Sequence, residues 1–264
     1  NYYIGKHAIC ERRRSSDNIA NNKIVCNHAK YIVDIAKSYL VGNPVAYSCS
    51  DGYDIEAVKN CFAVQDMPSL DAEFEKTMSI FGKAYELVYA DEQSQPKSVC
   101  LPPSNTFIVY GAGVGEIPLY GIHYYKKRDI DGAVTGVCCI VCDREMIYTY
   151  ENTADSFLHM TMTNSQHHYF GKMPMVEYRN NEEKQGDFEQ MIPLIDAYNI
   201  LESDRVNDKE QFVDAFLFLT GIDLDSEQAK KLREERILMG YEGAAAQYLS
   251  KVMSESDIEV LKDS

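Results

Sequence analysis

The chain has 264 residues, with 41 acids against 26 lysines and arginines and a formal net charge of −15. That balance excludes a protein that grips nucleic acid tightly through its phosphates. No run of eighteen apolar residues occurs, so no membrane span is expected, and no export signal is read at the first residues.

The length allows a substantial core in one or two domains. The charge is uneven. Residues 1–180 carry 21 acids and 17 bases, whereas residues 181–264 carry 20 acids and 9 bases. The 8 cysteines have no regular spacing, and reduced thiols are expected in a chain without an export signal.

Residues 1–20, with Arg12-Arg13-Arg14, read as a polar, solvated arm. From Asn22, the residues Ile24, His28, Tyr31, Ile32, Ile35 and Tyr39 share one helical face, which predicts a helix with that face buried and ended by Gly42. His28, on that face, is expected to be packed in the core. Residues 44–66 mix short apolar runs with the turn signal Ser48–Gly52. Ser69 is expected to cap a second helix whose buried side is Leu70, Phe74, Met78 and Phe81.

Strand patterning follows: Tyr85, Leu87 and Tyr89, then Thr106–Tyr110, Leu119–Tyr125, Val134–Cys142, Met146–Tyr150, Phe157–Met162 and Met175–Tyr178. Short links predict an antiparallel meander. The 19 tyrosines suit amphipathic sheet surfaces.

Gly186-Asp187 and Gly221 bracket about 33 residues, a helix of roughly 50 Å. Its ends are apolar, with Phe188, Met191, Ile192, Ile195 and Tyr198 at one end and Phe212, Phe216 and Leu219 at the other. From Glu202 to Gln211 the only aliphatic residue is Val206, so residues 202–211 are expected to stay outside the core of their own subunit. Pro193 is expected to bend the first turns. Beyond, Asp225–Arg236 reads as a short charged helix, Ile237–Met239 and Gln247–Val252 as two short strands, and Ser254–Asp257 as a cap.

Chemical motifs are few. Cys139-x-x-Cys142 points to opposite faces of a strand, which favours buried thiols over zinc. Gly111–Glu116 is followed by a strand start, so a hairpin loop is expected in place of a phosphate loop. His167-His168 reads as a surface or edge pair, and Glu182-Glu183 and Glu234-Glu235 as solvated helix ends. No catalytic, cofactor-binding or metal residues are assigned.

The runs Val176–Glu183, Gln185–Glu189, Leu194–Asn199 and Ser203–Arg205, with Tyr2-Tyr3-x-Gly5-Lys6-His7, Asn21–Val25 and Ala29–Asp34, resemble portal proteins of tailed bacteriophages, siphophage type, in order from the first residues to about residue 261. The resemblance implies an α+β protein with an antiparallel β-rich wing at 1–185 and flanking helices. A long first stem helix at 186–222, a small α/β clip at 223–257 and the start of a second stem helix at 258–264 follow. The second stem helix, tunnel segment and crown of the family lie beyond what this chain resembles.

It also implies a non-enzymatic subunit of a homo-oligomeric ring of about twelve copies at a capsid vertex. The partners would be terminase, capsid and head–tail connector proteins, and double-stranded DNA would pass through without tight binding. The expected locations are the virion and, during assembly, the host cytoplasm. Asp204, Asp208, Glu210 and Asp214 become candidates for facing the channel. Ile237, Leu238, Met239, Tyr248, Leu249 and Val252 become candidates for contacts between neighbouring clips. The competing readings are a β-rich enzyme with a helical appendage and a non-ring phage structural protein.

Overall fold

The computed structural model describes residues 1–13, 20–50, 52–213, 216–220 and 245–249, with side chains as far as Glu210. The chain divides into two compact units, residues 1–6 with 27–195, and residues 7–26 with 196–264. The described elements are α+β with antiparallel sheets, as expected.

The first unit begins with a single 3-10 turn, Tyr2–Ile4. Helix α1 spans His28–Val41, because the Asn27 side chain accepts from the Lys30 N–H and fixes the start there. The helix is therefore shorter than the one expected from Asn22. Its buried face is also different. Ala29 and Val33 are fully buried, while Tyr31, Ile35 and Tyr39 are exposed, and so is His28. Small residues let α1 approach its neighbour closely, and the large apolar side chains are left outside.

Helix α2, Glu56–Val64, was not foreseen in the mixed stretch 44–66. Helix α3, Met67–Phe81, has Pro68 in its first turn and ends at Gly82 in the left-handed region. Ser69 lies inside it and bonds to Asp66 Oδ2 at 2.5 Å. Phe74 is buried as expected; Phe81 is 49% exposed, and Glu75 and Ser79 are buried in its place.

Strands β1 (Lys83–Ala90), β2 (Pro96–Leu101) and β8 (Met175–Arg179) form a three-stranded sheet with β1 in the middle. Strands β3 (Thr106–Tyr110), β4 (Pro118–Arg128), β5 (Val134–Cys142), β6 (Met146–Asn152) and β7 (Thr161–His167) form the expected meander in sequence order. β2 was missed, and β7 starts four residues later than its expected Phe157.

Two cores result. Tyr85, Leu87, Leu101, Cys142 and Met175 fill the space between the sheets. Ala29, Val33, Phe188 and Ile195 form the other, with Tyr2, Tyr3, Ile32, Ile80 and Ile192 packed against it. The middle strand β1 is covered on both faces. Ala84 and Glu86 lie on one side, and Tyr85 and Leu87 on the other. Tyr85 donates to Glu177 at 2.9 Å and Tyr178 donates to Glu86 at 2.6 Å, so each strand of the β1–β8 pair satisfies a buried carboxylate.

Asp187 was expected to cap a long helix. It instead accepts from the Ser79 hydroxyl at 2.6 Å and from Asn180 Nδ2 at 2.7 Å, which ties residues 180–187 to the end of α3. A 3-10 turn at Glu189–Met191 leads into helix α4, Ile192–Val213. Pro193 occupies the first turn, where no donor is lost from the helix ladder. Phe216–Thr220 is strand β9, paired antiparallel with β10, Ala245–Leu249. The long helix expected through Leu219 therefore ends at Val213. Ile237–Met239, Val252, Asp214 and the helices expected at 225–236 and from 258 lie outside the described residues.

Candidate functional site

In the second unit, the middle of α4 lies along an extended segment, residues 20–26. Three neutral polar residues at a spacing of four, Asn199, Ser203 and Asn207, form one stripe of the helix. Each accepts a hydrogen bond from a main-chain N–H of the segment. Cys26 donates to Asn199 Oδ1 at 2.8 Å, Ile24 to Ser203 Oγ at 2.9 Å, and Asn22 to Asn207 Oδ1 at 2.7 Å.

The spacing follows from geometry. Four helical residues rise about 6 Å and two extended residues about 6.6 Å, so every second amide meets every fourth side chain over three repeats. The two run antiparallel. A one-residue slip of the segment would turn its donors away from the helix.

The stripe is closed off from water: Asn199 and Ser203 are 0% exposed and Asn207 1%. Its remaining hydrogen-bonding capacity is used. Ser203 Oγ donates to the Asn199 carbonyl at 2.6 Å, and Asn199 Nδ2 donates to His7 Nδ1 at 2.8 Å. That contact requires His7 Nδ1 to carry no proton. Buried polar atoms with partners make the contact selective for register.

Charged groups frame the stripe. Arg12 Nη1 donates to Asp204 Oδ1 at 2.9 Å, and Arg12 Nη2 donates to the Asn22 carbonyl at 3.1 Å. Asn22 Nδ2 reaches Glu210 at 2.7 Å. Lys23 Nζ donates to the Cys10 carbonyl at 2.8 Å. Burial, reinforced by Glu202, pushes the Cys26 thiol above its usual value.

Two expectations are corrected by this geometry. Residues 202–211 are not free of their own chain, because Ser203 and Asn207 are buried by the segment. Residues 7–13 are not a solvated arm either: Ala8–Glu11 form a 3-10 turn, Ile9 and His7 are buried, and Arg12 is paired. Residues 14–19 lie outside the described part.

Of the channel candidates, Asp204 is paired with Arg12, Glu210 is bonded to Asn22 of the segment, and Asp208 is exposed. Tyr248 and Leu249 of the clip candidates lie on β10. The sequence carried one signal for the stripe. Asn and Ser disfavour helix interiors unless their side chains have work there, and here they recur at 199, 203 and 207.

Elsewhere, Glu182-Glu183 are exposed as expected but lie in a turn and not at a helix end, and Glu234-Glu235 lie outside the described residues. Cys139 pairs with Tyr124 and Cys142 with Gly121, on opposite faces of the sheet, and burial raises the Cys142 thiol to about 12. Gly111–Glu116 is the loop between β3 and β4. His167 is exposed on the edge strand β7. Among the described residues, no group of three or more His, Cys, Asp or Glu could hold a metal ion, and no helix is long and apolar enough to cross a membrane.

A sequence profile described as "Phage portal protein, SPP1 Gp6-like" matches residues 1–264. The chain belongs to this family of phage portal proteins. It is also 27% identical over 237 residues to the portal protein of Bacillus phage SPP1, a match covering 80% of this chain and 46% of that protein. The chain thus spans about half the length of that relative. The ordered resemblance read from Tyr2 to about residue 261 is borne out by the match over the whole chain.

Proposed function

We propose that the chain is a subunit, or the N-terminal part of one, of the ring at a phage capsid vertex through which the genome is packaged and later ejected. The observation that carries this reading is the portal-family match over residues 1–264. The role is mechanical and not catalytic. The β-rich first unit corresponds to the wing, α4 to the first stem helix, and the β9–β10 pair to part of the clip. About twelve copies close the ring, on the family pattern. Terminase, capsid and connector proteins dock on it. The protein acts in the virion and, during assembly, in the host cytoplasm.

Duplex DNA passes without tight binding, which the net charge of −15 supports. Asp208, exposed on α4, is the described acid best placed to face a channel; Asp204 is taken up by Arg12 and Glu210 by Asn22. Tyr248 and Leu249 on β10 remain the described candidates for contacts between neighbouring clips, since two strands alone are marginal in water.

Native mass spectrometry of the chain tests the reading. A closed assembly with one discrete copy number is expected. A species that stays monomeric at every concentration contradicts it.

A further inference from the structure

β2 is an edge strand of the three-stranded sheet; among the described strands it pairs with β1 alone. The register tells which of its main-chain groups face outward. Val88 of β1 stands opposite Ser98, and the Val88 N–H is spent on the Pro174 carbonyl, on the far side of β1. The ladder to β1 therefore runs through Lys97, Val99 and Leu101, and Ser98 turns its N–H away from the sheet. Outward groups of this kind pair with extended chains unless something covers them.

Helix α2 covers them with side chains. Gln65, the residue that follows it, accepts the Ser98 N–H on its Oε1 at 2.7 Å. Cys61 Sγ donates to the Pro96 carbonyl at 3.8 Å, and Gln65 Nε2 donates to Cys61 Sγ at 3.1 Å. A helix thus stands where a neighbouring strand would, and an amide and a thiol take the places of that strand's acceptor and donor.

The attachment is light. α1 buries Ala29 and Val33, and α3 buries Phe74, Glu75 and Ser79, whereas α2 buries none of its 9 residues. A cleft of about 160 Å³ remains between helix and strand, with Ala57, Cys61 and Val64 on one side and Pro96 and Lys97 on the other. The thiol is a weak donor. Phe62 meets the Tyr47 ring with centroids 4.8 Å apart. α2 joins α3 at Asp66, whose left-handed conformation, φ 51° and ψ 55°, breaks the helical run between them. The α3 side of that joint is fixed, because Ser69 Oγ donates to Asp66 Oδ2 and the Leu70 N–H to the Asp66 carbonyl.

An element with little buried surface opens at a lower free energy than the core it rests on. We propose that α2 is a hinged cover, which lifts off the β2 edge about Asp66 while the sheet and α3 stay folded, and so bares the Ser98 N–H and the Pro96 carbonyl. An edge opened in this way is the kind to which an extended segment adds by main-chain pairing.

Native-state hydrogen exchange, with alkylation of Cys61 as a second probe, tests it. In the wild type, Ser98 should exchange faster than Lys97 and Val99. Low guanidinium should hardly change its rate, because the opening exposes little surface. Phe62→Ala removes the contact with Tyr47 and alters neither probe. It should raise the Ser98 exchange rate and the Cys61 alkylation rate by one common factor, roughly two- to tenfold, the worth of one aromatic pair. Lys97, Val99 and Leu70 should keep their wild-type rates, which also shows that the variant is folded.

A wild type in which Ser98 exchanges only as fast as Val99 overturns the cover, since the edge is then bared only when the sheet opens. A variant that speeds Ser98 without Cys61, or Cys61 without Ser98, overturns a common opening. Loss of protection at Leu70 in step with Ser98 overturns the joint at Asp66.

Discussion

Asn199 accepts the Cys26 main-chain N–H at 2.8 Å with a side chain that is fully buried, and it uses its other amide atom on His7. One side chain on α4 thus holds both ends of residues 7–26. Replacing it with alanine leaves a buried donor unpaired, which costs about 1–3 kcal/mol. Asn199→Ala is expected to lose that much. Ser203→Ala, which frees only the Ile24 N–H, should lose about 1–2 kcal/mol. Chemical denaturation gives both values, and hydrogen exchange should show the amides of residues 22, 24 and 26 losing protection together. Unchanged exchange at Ile24 in Ser203→Ala would mean that the stripe does not hold the segment.

Asp204 and Asp208 are one turn apart and behave differently. Asp204 pairs with Arg12, the side chains being 44% and 18% exposed. A partly exposed pair contributes about 0.2–1 kcal/mol. Asp204→Asn should cost an amount in that range, and Asp208→Asn should stay within about 0.5 kcal/mol of wild type. Salt should shrink the first effect. Equal losses at both positions would show that the Arg12 pair plays no part in stability.

The buried side of α3 gives a pH dependence with a definite sign. Burial, with Glu86 nearby, raises the Asp71 carboxyl, and burial, with Asp187 nearby, raises that of Glu75. A carboxyl whose value in the folded state exceeds its unfolded value stabilises the protein below the unfolded value. That contribution is lost as pH rises through the folded value. Glu177 and Asp143 are lowered and act oppositely, so total stability is a mixed readout. The difference between wild type and Glu75→Gln isolates one group. The variant should be the more stable protein at pH 7, with the gap closing as pH falls below the ordinary glutamate range. A variant less stable than wild type at pH 7 would contradict this.

How much of this was legible in the sequence depended on which force set each element. The strands of the meander were readable because their hydrophobic period and turn residues agree. Helix α1 was read with the wrong face, because Tyr31, Ile35 and Tyr39 are large and apolar while the residues that pack are Ala29 and Val33. Side-chain size cannot reveal which face a neighbour approaches. The stripe Asn199, Ser203 and Asn207 was read as a wet middle. Polarity in sequence does not distinguish water from a main-chain partner nearly two hundred residues away. Phe216–Thr220 carries a pattern that suits both periods, and its pairing with β10 decides for strand.

Gly82 ends α3 with φ at 77°, and a Cβ there would come within 1.9 Å of the Lys184 carbonyl oxygen. The left-handed conformation alone costs a non-glycine residue about 1–2 kcal/mol. The clash is with main chain and cannot be relieved by a rotamer. Gly82→Ala should therefore lose about 3 kcal/mol or more in chemical denaturation. A loss under about 1 kcal/mol would mean that residues 180–187 do not seat against the end of α3 as described.

The central claim is that this chain builds a portal ring. Electron microscopy of the purified assembly, with class averages down its axis, tests it most directly. The account predicts one closed ring of a single copy number with an axial opening wide enough for a B-form duplex. Isolated monomers, open filaments, or a closed particle with no axial opening would contradict it.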